Sequence, residues 1–156
     1  MRQLKRMFQF ISDSNIREII EDYWNQASVC NEHGAYAAVI VLCGGILEGI
    51  LAWGIIQYEN EAREKSPDEF RNKDGSDKPV NKWSLTPLIK VANKLEIIGK
   101  TSDRLLNAAQ DFRNFIHPYN VISQSDRPNS GLADISIKTV QEVCRSLSGR
   151  ILIKER

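Results

Sequence analysis

The run Ala35–Ile56, AYAAVIVLCGGILEGILAWGII, carries one charge, Glu48. As a helix rising about 1.5 Å per residue it is long enough to cross a hydrocarbon core of about 30 Å. Gly45 and Gly49 form a GxxxG pair of the kind that lets helices approach closely in membranes. Two features oppose a membrane span. Glu48 sits inside the run, where a charge costs a few kcal/mol or more, and no Lys or Arg cluster flanks either end. A helix wrapped by others in a water-soluble bundle is also apolar all round. The expectation is therefore a buried central helix, with a small membrane-associated protein as the alternative. In the buried case the glycines admit neighbouring helices.

The rest of the chain supplies those neighbours. Ile16, Ile19, Ile20, Tyr23, Trp24 and Ala27 recur at helical spacing, with Asp13 or Ser14 as N-cap and His33-Gly34 as the break. Thr86-Pro87 reads as a cap followed by proline at the first helical position. Leu88, Ile89, Val91, Ala92, Leu95 and Ile98 then form the apolar face, and Gly99 suits the position after the helix end. Thr101-Ser102-Asp103 starts a further helix with Leu105, Ala108, Ala109, Phe112 and Ile116 inward, ended by Pro118. Tyr119–Ala133 reads as a loop, and Ile137, Val140, Cys144, Leu147 and Ile151 mark a last helix. No segment alternates with strand period. The predicted fold is all-α, a bundle of four to five helices in a single domain spanning 1–156. Trp24, Trp53 and Trp83 are assigned to the core or a dimer contact.

One stretch resists this scheme. Glu59–Lys82, ENEAREKSPDEFRNKDGSDKPVNK, combines Pro67, Gly75 and Pro79 with dense mixed charge. It reads as a brief continuation of the helix and then an exposed, mobile loop. Over the chain, 21 basic and 20 acidic residues leave a net charge of +1, which excludes a general nucleic-acid binder but not a local phosphate site. Basic residues outnumber acidic ones five to two after Ile137, a mild excess able to flank an RNA site or simply to form a solvated face. Cys30, Cys43 and Cys144 form no Cys-x-x-Cys pair, so neither a zinc ribbon nor a disulfide scaffold is indicated, and a reducing, cytoplasmic setting is the default. Residues 1–14, MRQLKRMFQFISDS, hold too short an apolar core for a secretory signal and read as an amphipathic lead-in.

Chemistry concentrates in Asp111-Phe112-Arg113-Asn114-Phe115-Ile116-His117-Pro118-Tyr119. On a helix Arg113 and His117 share a face, at the edge of the buried stripe and near a helix end. A permanent cation beside an imidazole that titrates near neutrality suits phosphodiester chemistry: arginine holds the phosphate and histidine moves a proton. That chemistry needs neither metal nor cofactor. The plainer alternative is that His117 caps the helix end and Arg113 pairs with Asp111, Glu48 or a carbonyl. Glu48, costly in a buried helix unless paired, is a candidate to orient Arg113 or His117; the alternative is that it lies near the helix surface and snorkels.

The Arg113-Asn114-x-x-His117 pattern, late in a small all-α chain, resembles the signature of HEPN domains. The segment Gly44-Gly45-Ile46-Leu47-Glu48-Gly49-Ile50-Leu51 is similar to the central helix of many such proteins. The likeness covers roughly residues 14–151, with 59–82 as an insertion. In the family, four to six residues separate Arg from His; here three do, Asn114 to Ile116. The resemblance implies a homodimer whose two Arg/His pairs form one cleft. It also implies metal-independent cleavage of RNA by the adjacent 2′-hydroxyl, in a toxin–antitoxin or antiphage defence system. Arg113, His117 and Asn114 would be catalytic, with Glu48 and Asp111 supporting. In one branch a tyrosine two residues after the histidine receives AMP from a partner nucleotidyltransferase, and Tyr119 occupies that place. A non-catalytic RNA-binding or protein-interaction subunit is the alternative within the same family.

Overall fold

A computed structural model describes residues 7–98, Phe115 and 127–154. It is mostly helical, and no strand occurs among the described residues beyond one isolated bridge between Arg71 and Asp77. The five helices described are α1 (Ser14–Glu32), α2 (Tyr36–Ile56), α3 (Glu59–Lys65), α4 (Leu85–Lys94) and α5 (Ser130–Lys154).

The apolar run forms the hub of the bundle. Helices α1, α4 and α5 pack on α2 far more than on one another. Val39, Ile40, Cys43, Ile46, Leu47, Ile50, Leu51 and Ile55 are fully enclosed. Of its most hydrophobic window 61% is buried inside the bundle, although the helix is long and apolar enough to cross a membrane. The GxxxG pair serves the chain itself. A Cβ at Gly45 would stand 3.2 Å from the Tyr23 ring, and one at Gly49 would stand 3.2 Å from Ile20 Cδ1. Gly54 does the same toward α5, where a Cβ would lie 2.8 Å from Leu147 Cδ2.

Helix α1 starts where the capping argument placed it: Asp13 Oδ1 accepts from the amides of Asn15 and Ile16. Ile20, Trp24 and Ala27 are buried, but Ile19 is 51% and Tyr23 38% exposed, so the buried stripe is narrower than the apolar one. The lead-in contributes more than amphipathicity. Phe8 and Ile11 are fully buried, Phe8 edge-on to Trp24 and Phe10 edge-on to Trp53. All three tryptophans belong to the core.

Two boundaries differ from expectation. Helix α4 begins at Leu85 rather than after a Thr86 cap; Ser84 occupies the cap position but its side chain makes no capping bond. Helix α5 begins at Ser130, well before the end of the anticipated 119–133 loop. Asn129 caps it by accepting the Leu132 amide at 3.1 Å, so Gly131 lies inside the first turn instead of breaking it.

Helices α1 and α4 end in the same hydrogen-bond pattern with different residues. Past α1, Gly34 N–H donates to Asn31 O and Ala35 N–H to Cys30 O, with Gly34 at φ 73°. Past α4, Glu96 N–H donates to Asn93 O and Ile97 N–H to Ala92 O, with Glu96 at φ 57°. The residue that closes the end of α4 is thus Glu96; Gly99 lies outside the described residues. A side chain in that conformation costs about 1–2 kcal/mol, partly offset in glycine by its larger unfolded-state entropy. Glu96→Gly is expected to stabilise the fold by about 0.5–1 kcal/mol, raising Tm by about 2 °C in thermal unfolding. An unchanged or lower Tm would show that the turn carries no strain.

Candidate functional site

Arg113, Asn114, His117, Asp111 and Tyr119 lie outside the described residues. From the centre of the motif the structure describes Phe115, which is helical, partly buried and packed against the core. The apolar stripe drawn through Phe112 and Ile116 omitted it.

Glu48 is described and departs from the buried-carboxylate expectation. It is an exposed residue of α2. Partial desolvation raises the Glu48 pKa, and the nearby Leu85 backbone amide at the start of α4 opposes the rise. The folded chain therefore binds a proton at Glu48 more readily than the unfolded chain, so this group's contribution to stability declines as pH rises through the carboxylate range. Being exposed, Glu48 has no need of a buried cation.

The charged excursion contains a second cluster that the sequence pattern did not reveal. Arg63 bonds Glu59 at 2.8 Å and grips both carboxylate oxygens of Asp77, at 2.7 and 3.2 Å. Its guanidinium also lies 4.2 Å over the Phe70 ring, which meets Trp83 edge-on. Phe70, Val80 and Trp83 are buried and pin both ends of the excursion, while 71–77 is exposed. That tip is hydrogen-bonded. Asn72 N–H donates to Ser76 O, Lys78 N–H to Phe70 O, and the Ser76 amide and hydroxyl both donate to Asp74. The bonds from Arg63 and Ser76 hold the Asp77 and Asp74 carboxyls below the usual carboxylate range. Glu59 was legible as an i,i+4 partner of Arg63; Asp77, fourteen residues on, was not.

Arg63→Ala is expected to speed amide hydrogen exchange at Asn72 and Lys78 while leaving α1 and α2 protected. Because the two carboxyls have depressed pKa values, their contribution is present above the ordinary carboxylate range and is lost as pH falls through it. The same amides should therefore lose protection in acid. Equal exchange in variant and wild type would mean that the backbone bonds alone hold the tip.

No group of three or more His, Cys, Asp or Glu able to hold a metal occurs among the described residues. Cys43 and Cys144 are buried, and burial pushes both thiols up to about 12, which makes them poor nucleophiles. A shallow groove remains between residues 7–10 and α5, lined by Met7, Phe10, Gln141, Cys144, Arg145 and Ser148.

No protein-family model, curated protein or solved structure matches the chain.

Proposed function

We propose that the chain is a HEPN-like helical-bundle protein that cleaves RNA without a metal, as a component of a toxin–antitoxin or antiphage system in the cytoplasm. The observation that carries this is the Arg113-Asn114-x-x-His117 motif. The all-α architecture is compatible with it. His117 takes the proton of a ribose 2′-hydroxyl as the O2′–P bond forms. The P–O5′ bond breaks, the 5′ oxygen takes up a proton, and a 2′,3′-cyclic phosphate remains. Arg113 holds the phosphate and stabilises its added negative charge, and Asn114 steadies the pair by hydrogen bonds. Two chains in a homodimer bring two such pairs to one cleft. An antitoxin or a nucleotidyltransferase acting on Tyr119 is the matching kind of partner. Glu48 and Asp111 support the pair in this scheme, Asp111 lying within reach of Arg113 in sequence.

The spacing favours a second reading. Three residues between Arg and His, rather than four to six, suit a module that binds RNA or protein without cutting. Expression of wild type beside Arg113→Ala and His117→Ala separates the two. Toxicity and cyclic-phosphate ends confined to wild type support cleavage; none in any of the three supports the binding module. Recovery without detergent excludes the membrane-associated alternative that α2 raises.

A further inference from the structure

We propose that the groove between residues 7–10 and α5 receives one nucleotide unit of a single RNA strand, its phosphate on Arg145 and its base against Phe10; this rests on the ribonuclease reading. The groove is open and measures about 430 Å³, within the volume range of small-ligand sites. Gln141, Cys144, Arg145 and Ser148 fall at i, i+3, i+4 and i+7, so they form one face of α5. Met7, Phe10 and Cys144 supply its apolar lining, and the Cys144 thiol stays protonated and so does not repel a phosphate. Phe10 is held edge-on by Trp53 at 5.8 Å, which fixes its ring before any ligand arrives. The rim carries an exposed Arg145, with Gln141 and Ser148 as hydrogen-bonding groups, and among the described residues no acidic side chain lines the groove.

Charge complementarity selects the occupant. Arg145 and Lys138 are exposed, and neither joins an ion pair among the described residues. They stand on the same side of α5, seven residues or about 10 Å apart. Arg145 and Lys138, with the Phe10 ring beside the helix, can contact a phosphate backbone and a base.

The test uses full-length protein carrying His117→Ala, to prevent turnover, and a short fluorescein-labelled single-stranded RNA in an anisotropy titration. Adding Arg145→Glu should weaken binding about ten-fold and lower the slope of log affinity against log salt by about 0.7. Lys138→Glu should act in the same direction and more weakly. A 4-thiouridine RNA should photocrosslink to the peptide holding Met7 and Phe10. Both charge-reversal sites are exposed, so circular dichroism should be unchanged. RNA that binds with equal affinity to all variants, or crosslinks only elsewhere, overturns the groove assignment and leaves the ribonuclease reading standing. Absence of RNA binding by the folded protein overturns both.

Discussion

Alanine at His117 is expected to slow RNA cleavage by about 10²–10⁴-fold, the usual contribution of a positioned general acid or base. Arg113→Ala should cost a comparable factor, since it removes a charged donor from the phosphate at the moment charge accumulates. Both variants should remain folded, because each removes a side chain predicted at the edge of the buried stripe. The measurement is single-turnover cleavage of RNA with end analysis for the cyclic phosphate. Pairing is the sharper part of the expectation. If the two side chains act on one phosphate, the double variant should fall little below the worse single one, because residues that work as a unit are not additive. Losses that multiply would place them in separate tasks. Unchanged activity in His117→Ala would remove the proposed mechanism.

The largest stability effect is expected at the hub. Leu47 is fully enclosed on α2, in the core shared by α1, α4 and α5. Leu47→Ala deletes buried methyl groups and leaves a cavity that no single neighbour can collapse into, at a cost of about 3 kcal/mol and a Tm lower by about 10 °C. Calorimetry or denaturant unfolding would read this. A loss below about 1 kcal/mol would mean that the surrounding helices relax around the gap.

The fold was largely legible because its dominant signal is unambiguous. A 21-residue apolar helix with one charge needs several partners, and helical spacing supplied α1, α4 and α5. What failed were decisions resting on a single residue. Thr86-Pro87 resembled a cap and first helical residue, yet α4 starts two residues earlier, at Leu85 after Ser84. Gly99 looked like the helix stop, yet Glu96 takes the left-handed position because the bonds to Asn93 and Ala92 close there. The polar stretch up to Ala133 looked like loop, yet Asn129 captures the Leu132 amide and the last helix starts at Ser130. Phe70 was hidden among charges, and its burial beneath Arg63 depends on a tertiary contact with Trp83. The candidate site was legible only as a motif. Glu48, its one described acid, proved to be exposed, whereas a periodic apolar run gives no sign of which face a lone charge will take.

The arrangement around α2 also has a consequence for biosynthesis. Helix α1 adjoins α2 in the chain, so the pair can meet as a local hairpin while translation continues. Helix α5 begins at Ser130, far downstream of Ile56. Until it is made, the side of α2 bearing Gly54 lacks Leu147, its contact from α5. Between the synthesis of Ile56 and that of Leu147, α2 therefore exposes the face that α5 later covers, for as long as the intervening segment takes to translate.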